Sequence, residues 1–260
     1  MTRASVITIG IDPDIHLGPA TIAWHGLTIA IGVLIGGLVA TRWARGENLD
    51  PDRLYTLGAL LVVGGVVGGR LFYVLEHGGA LLGSRGFTFD GGVILAALLM
   101  AGYAWRTRIS ARYLDAAAIG LPLGVAVGRI GDVINGEHYG PQSDFFLAVR
   151  SSHPDALTPD PALAYQNGGL YEVMLAAVIF AVMWALRHRL RAPGELTWLV
   201  LGLFAIGRFF VFFARSDSPP LALGLTNAQW TSLALLAVVV AGWWVATRGP
   251  GFRHRLGSRS

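Results

Sequence analysis

The stretch Leu54–Leu75, LYTLGALLVVGGVVGGRLFYVL, holds one charged side chain, Arg70, in 22 residues. The hydrocarbon core of a bilayer is about 30 Å thick, and a helix rising ~1.5 Å per residue crosses it in roughly 20 residues. A run this long and this apolar predicts a membrane-spanning helix. Comparable runs lie at about Ala20–Thr41, Gly91–Trp105, Tyr113–Ile130, Leu170–Leu186, Leu196–Ala214 and Ala228–Thr247, which makes seven. Charged residues are 14% of the 260, where a soluble domain carries about 25%. The expected fold is an all-α membrane protein with seven transmembrane helices. It forms one integral domain over residues 1–260, with no separate soluble domain.

Arginine placement orients the chain. The connections after the first, third, fifth and seventh runs hold Arg42, Arg45 and Arg53, then Arg106, Arg108 and Arg112, then Arg187, Arg189 and Arg191, and last Arg248, Arg253, Arg255 and Arg259. The opposite side holds only Arg3, Arg85, Arg150 and Arg215. Cytoplasmic loops are the basic ones. The N-terminus is therefore expected outside and the C-terminus in the cytoplasm, with a basic tail over about 248–260 facing anionic inner-leaflet lipid. The stretch IDPDIHLGPA before the first run is acidic where a cleaved signal would be basic, so no such signal is expected. Every one of the 20 Lys and Arg residues is arginine, and no cysteine occurs. That removes a retinal Schiff base, disulfides, thiolate metal sites and a cysteine nucleophile within the protein.

Glycines suggest how the spans pack. Gly32 and Gly36 in the first, Gly64/Gly68 and Gly65/Gly69 in the second, and Gly120, Gly124 and Gly128 in the fourth form small-xxx-small faces that allow close approach. The longest external connection, about 135–168, is rich in Pro, Asp and Ser and long enough to form a small external cap.

In this orientation the unusual polar residues gather at one depth. His25 lies roughly 8 Å below the outer surface on the first span, Arg70 about 8 Å from the outer end of the second, and Arg208 about 9 Å from that of the sixth. Asp90 opens the third span at the same boundary. Arg129 closes the fourth, with Asp132, Asn135 and Glu137 just beyond it in GRIGDVINGEHYG, Gly128–Gly140. Singly, each arginine has a plain use. Arg129 could neutralise Asp132 at i, i+3, Arg70 could snorkel to headgroups, and Arg208 could pair with a structural lipid. A charge at membrane depth costs at least ~2.5 kcal/mol, however, and three at one depth predict a site at the outer interface for an anionic ligand.

GRIGDVINGEHYG resembles the signature of the prolipoprotein diacylglyceryl transferases, seven-helix membrane enzymes whose pattern reads roughly Gly-Arg-x-Gly-Asn-Phe-x-Asn-x-Glu-x-x-Gly. The match covers Gly128, Arg129, Gly131, Asn135, Glu137 and Gly140. LGPATIAWHGL, GGRLFYVL with Arg70 and Tyr73, GLYE ending at Glu172, GRFFVFFAR with Arg208, and NAQW are similar to further family stretches, in the family's order. The resemblance implies transfer of the diacylglyceryl group of phosphatidylglycerol to the lipobox cysteine thiol of a prolipoprotein, with release of glycerol phosphate. This is the first step of bacterial lipoprotein maturation, at the inner membrane, with the active site toward the outer leaflet. It also implies roles: Arg129 and Arg208 on the phosphate, Arg70 in support, and Glu137 and Glu172 accepting from glycerol hydroxyls or bracing an arginine. Tyr73, Asp132, Asn135 and Gly140 become further substrate-binding positions. The expected partners are phosphatidylglycerol, the prolipoprotein signal peptide and membrane lipids; no nucleic acid and no cofactor are expected. No metal is expected either, since the seven histidines form no spacing such as His-Glu-x-x-His.

Four positions depart from the family pattern. His25 stands for tyrosine, Asp90-Gly91-Gly92 for His-Gly-Gly, Asp132 for the first asparagine of the signature, and Phe212 for the acid four residues after Arg208. Two accounts stay open. In one, the imidazole has moved: His25 is the base, taking the thiol proton, and Asp90 fixes its tautomer. In the other, the chain binds a phospholipid headgroup but uses another acceptor or none. A transporter would show a midplane site between repeats, and no repeat is present. A rhomboid-type protease would need a Gly-x-Ser-Gly run, which is absent.

Overall fold

A computed structural model describes residues 6–18, 20–81 and 88–248, without the side chains of residues 20, 89, 90, 93 and 245–248. Each of the seven apolar runs is helical: α1 (Trp24–Gly46), α2 (Pro51–His77), α3 (Phe89–Thr107), α4 (Arg112–Asn135), α5 (Gly168–Leu186), α6 (Glu195–Val211) and α7 (Asn227–Arg248). Among the described residues, five segments are long and apolar enough to cross a membrane: Trp24–Gly46, Pro51–His77, Arg112–Asn135, Gly168–Leu186 and Glu195–Ala214. A shorter apolar stretch, Ile94–Thr107, lies in α3. The outer faces are apolar, as a helix in lipid requires: Leu34 and Leu38 of α1 are 67% and 70% exposed. The protein is a mostly helical membrane protein.

Helix boundaries differ from expectation in two places that matter for the site. The first helix does not begin at Ala20, because Ala20–Ala23 form strand β3, paired antiparallel with β2 (Asp14–Leu17) in the register Asp14↔Ala23. Gly18, at φ +61°, lets the chain reverse between the two strands. The fourth helix does not stop at Ile130 but runs on to Asn135, so Arg129 and Asp132 share one helical face. Gly136 ends it in a left-handed conformation (φ +73°), its N–H bonded to the carbonyls of Asp132 and Val133. The polar residues of that last turn are tolerated because neighbouring elements supply their partners.

The small-residue faces are where the helices meet. α1 packs on α4 so closely that a Cβ on Gly36 would stand 2.9 Å from the Gly120 carbonyl oxygen, and one on Gly124 2.8 Å from that of Gly32. This approach lets Thr28 Oγ1 donate to the Gly128 carbonyl at 2.9 Å, a buried bond between the two helices. α2 meets α3 in the same way through Gly64, Gly68 and Gly91. At the other end of the bundle Trp43, Leu54, Tyr113, Ile119, Met183 and Leu196 form a packed core. There the buried Asp115 of α4 accepts from the Gly194 and Thr197 N–H groups at 2.7 and 2.9 Å, holding the start of α6.

Residues 135–168 fold into a small sheet. Strands β4 (Tyr139–Gln142), β5 (Val149–Ser151) and β6 (Tyr165–Asn167) join β1 (Ile7–Ile9) in the order β1-β5-β6-β4, with β1 parallel to β5 and the other pairs antiparallel. A 3-10 turn, Phe212–Ala214, follows α6, and a short hairpin, β7 (Pro220–Ala222) with β8 (Leu225–Thr226), precedes α7. The sheet caps the end of the bundle where α4 finishes and α5 begins. It is fastened there by backbone bonds from Gly168 N–H to the His138 carbonyl at 2.7 Å and from Ser216 N–H to that of Tyr139 at 3.0 Å.

Candidate active site

At the capped end, residues from α1, α4 and the cap converge on one carboxylate. Asp132, only 1% exposed, accepts from His25 Nδ1 through Oδ1 at 2.5 Å and from Arg129 NH1 through Oδ2 at 2.5 Å. His138 Nε2 stands 3.2 Å from the same Oδ2. His25 reaches this point because Gly131 of α4, with no side chain, lets the α1 backbone at His25 approach. The imidazole is 40% exposed, and its Nε2 has no hydrogen-bond partner among the described residues. Glu137 Oε2 lies 3.7 Å from His25 Nδ1, and Glu137 Oε1 accepts from Asn135 Nδ2 at 3.0 Å. Asn135 Oδ1 is buried and accepts no bond among the described residues.

A second buried acid organises the arginines. Glu172, on the first turns of α5, is 5% exposed and pairs with Arg129 Nε at 2.5 Å, Arg208 NH1 at 3.3 Å and Arg215 NH1 at 4.0 Å. α5 is set in place by its N-cap, Asn167, whose Oδ1 accepts from Leu170 N–H at 2.8 Å and whose Nδ2 donates to the Glu137 carbonyl. Phe212 is buried beside two of the cations, its ring centroid 5.0 Å from the Arg208 guanidinium and 4.3 Å from that of Arg215. The aromatic face accepts both charges where the family pattern has an acid, and Glu172 supplies the carboxylate. Arg215 also holds Asp217 through two bonds, at 2.8 and 2.6 Å, and Asp217 Oδ2 lies 3.2 Å from His138 Nδ1. Burial pushes the Asp217 carboxyl up, but its bonds to Arg215 and His138 outweigh that and hold it below the usual carboxylate range.

Three guanidinium groups and two imidazoles are thus gathered with four carboxylates at one end of the bundle. Such a set can clamp a phosphate with its arginines and move a proton at His25. Among the described residues, two groups of three His, Asp or Glu side chains have ligand atoms within 4.8 Å of one another: His25, Asp132 and Glu137, and, in the cap, Asp12, His153 and Asp155. In the first, the Arg129 guanidinium already neutralises Asp132 through its Oδ2. Both are assembled from separate elements, which local spacing in the sequence does not reveal.

The sequence matches the family model for prolipoprotein diacylglyceryl transferase over residues 14–245. A phosphatidylglycerol–prolipoprotein diacylglyceryl transferase of Erythrobacter litoralis is 31% identical over 93% of this chain and 92% of its own length. The chain belongs to the prolipoprotein diacylglyceryl transferase family. A transferase of the same name from Agrobacterium fabrum is 29% identical over 92% of both chains. One from Frankia alni is 34% identical over 89% of this chain, which spans 64% of that longer protein.

Of the residues singled out in this transferase from sequence, the structure brings together His25, Arg129, Asp132, Asn135, Glu137, Glu172 and Arg208. The carboxylate on His25 is Asp132; Asp90, in the first turn of α3, lies outside the described side chains. The acids bracing Arg129 are Asp132 and Glu172, whereas Glu137 faces His25 and Asn135. Arg70 is held at the end of α2, donating to the Leu81 carbonyl at 3.1 Å and the Ala80 carbonyl at 2.5 Å, with its guanidinium over the Tyr73 ring. Gly140 is a packing position: a Cβ there would collide with the Ala214 carbonyl oxygen. Sequence reasoning missed His138, Arg215 and Asp217. The first two end or interrupt motifs already noted, GRIGDVINGEHYG and GRFFVFFAR, but read as loop residues; no pattern marks Asp217.

Proposed function

We propose that this protein transfers the diacylglyceryl group of phosphatidylglycerol to the cysteine thiol of a prolipoprotein signal peptide, and that the cluster around Asp132 and Glu172 is where it does so. The observation that carries the site assignment is the His25–Asp132 pair beside three arginines organised by one buried acid. Arg129 and Arg208, joined by Arg215, hold the phosphate of the lipid. A free thiol with a pKa near ~8.5 is a poor nucleophile until its proton is removed. His25 Nε2 takes that proton while Asp132 fixes the opposite nitrogen and stabilises the imidazolium. The sulfur then attacks the glycerol carbon of the diacylglyceryl group, the carbon–oxygen bond to phosphate breaks, and glycerol phosphate leaves with its negative charge on the arginines. Asn135 Oδ1 and Glu137 are placed to accept from the glycerol hydroxyls, and Arg70 with Tyr73 supports the headgroup from α2.

In this reading the bundle crosses a bacterial inner membrane seven times, N-terminus outside and C-terminus in the cytoplasm. Its capped end then faces the outer leaflet, where both substrates present their reacting groups. The arginine asymmetry supports the orientation. The test uses purified protein, phosphatidylglycerol and a lipobox peptide carrying cysteine or serine at the acceptor position. Glycerol phosphate should appear only with the cysteine peptide. Release with neither peptide, from folded protein that binds phosphatidylglycerol, would mean that the chain holds the headgroup without transferring from it.

A further inference from the structure

At the end of the bundle away from the reaction centre, the last turns of α1 and α5 and the residues just after them line an open cavity of about 180 Å³. Its walls include Arg42, Trp43, Glu47, Trp184, Arg187 and His188, none of which belongs to the reaction centre. The charge balance favours an anion. Glu47 is neutralised by Arg112, whose guanidinium bonds its carboxylate. Two helix C-termini together contribute about one negative charge. Arg42 and Arg187 exceed that, and His188 adds to them when protonated. Arg187 is already positioned, donating to the Trp184 carbonyl with its guanidinium 4.0 Å from the Trp184 ring centroid. Trp43 is buried, and its Nε1–H has no acceptor among the described residues. A buried donor without a partner is uncommon in folded proteins, and Trp43 is one of the residues that line the cavity.

We infer that this cavity binds the phosphate of an anionic phospholipid in the leaflet opposite the reaction centre, between Arg42 and Arg187. A lipid fits better than free phosphate because the cavity opens onto apolar helix surface. Leu34, Leu38 and Arg42 recur at i, i+4 and share one face of α1, with both leucines well exposed. On α5, Phe180 lies one turn back from the exposed Trp184, at 5.8 Å between ring centroids. Acyl chains would run along these two faces, with the tryptophans at the headgroup level where such side chains concentrate.

The test uses the purified full chain and native mass spectrometry, titrating dioleoyl phosphatidic acid, with phosphatidylcholine as the zwitterionic comparison. Phosphatidic acid is the probe because it offers the phosphate without being the phosphatidylglycerol donor. The wild type should retain one more phosphatidic acid than Arg42→Gln/Arg187→Gln, in which affinity for that molecule falls roughly ten-fold or more. Arg42→Gln alone, an exposed substitution that leaves the fold intact, should weaken it by a smaller factor, and phosphatidylcholine counts should not change. Equal phosphatidic acid counts in wild type and both variants overturn the inference. An equal loss of phosphatidylcholine also overturns it, since the contact would then not be with an anionic phosphate. If lipid counts match while inorganic phosphate raises the melting temperature of the wild type but not of the double variant, the cavity takes free phosphate and the lipid assignment is wrong.

Discussion

Asp132→Asn removes one charge and leaves volume and shape unchanged at a position with almost no access to solvent. In the parent protein the two carboxylate oxygens serve His25 at 2.5 Å, Arg129 at 2.5 Å and His138 at 3.2 Å. An amide offers one oxygen in place of two, and its nitrogen cannot accept. Arg129 keeps Glu172 at 2.5 Å and can hold the remaining oxygen, so the loss falls on His25. A hydrogen bond to a charged group is worth about 1.5–3 kcal/mol net, and ~1.4 kcal/mol is a factor of ten. The bond matters most when His25 carries the thiol proton, so turnover should fall about ten- to hundred-fold. The arginines stay in place, so phosphatidylglycerol binding should change by less than about three-fold. Formation of diacylglyceryl peptide, followed by mass spectrometry across a phosphatidylglycerol series, separates kcat from KM. Unchanged kcat with a raised KM would show that Asp132 serves the phosphate clamp, not His25, and would refute this reasoning.

Three further outcomes follow from the same geometry. Glu172→Gln leaves three guanidinium groups around a neutral amide; breaking a buried pair typically costs about 3–5 kcal/mol, so the melting temperature should fall and glycerol phosphate should restore part of it. A melting temperature that ignores the substitution would mean the arginines do not depend on Glu172. Asp217 is held below the usual carboxylate range, so its stabilising contribution is complete above the unfolded value near ~3.9 and is lost as pH falls through the lower folded value. The acid limb of a melting-temperature series should therefore shrink in Asp217→Asn, and an identical limb in both proteins would contradict the assignment. A reporter fused after Ser260 should read cytoplasmic and one inserted near Ser152 external; the reverse would place the reaction centre at the inner leaflet.

The helices were legible from length and hydropathy, five of them, among the described residues, long and apolar enough to cross a membrane, and the close faces because glycines recur at i, i+4. Depth along each span also put His25, Arg129 and Arg208 at one end of the bundle, where their side chains gather, since 1.5 Å per residue is a fixed ruler. Contacts between elements were a different matter. Asp132 read as a residue beyond the fourth span, neutralising Arg129; that it holds His25 and His138 as well depends on how α1 crosses α4. Continuation of α4 to Asn135 was hidden because its last turn is polar, and only tertiary partners make that turn stable inside the protein. The cap sheet was invisible for a simpler reason: strands such as Val149–Ser151 are three residues long, too short for alternation to register. Arg70 shows the limit of the depth argument. It donates to the Ala80 and Leu81 carbonyls just beyond its own helix, bonds that no span-by-span count can foresee.

The most direct test of His25 as the proton acceptor measures two quantities on one variant, His25→Ala: diacylglyceryl peptide formed and phosphatidylglycerol bound. The account predicts that phosphatidylglycerol still binds, because Arg129, Arg208 and Arg215 keep Glu172, while no diacylglyceryl cysteine peptide accumulates. Product formation by His25→Ala at close to the parent rate would contradict it, and loss of product in Asp90→Ala alongside would move the base to that carboxylate.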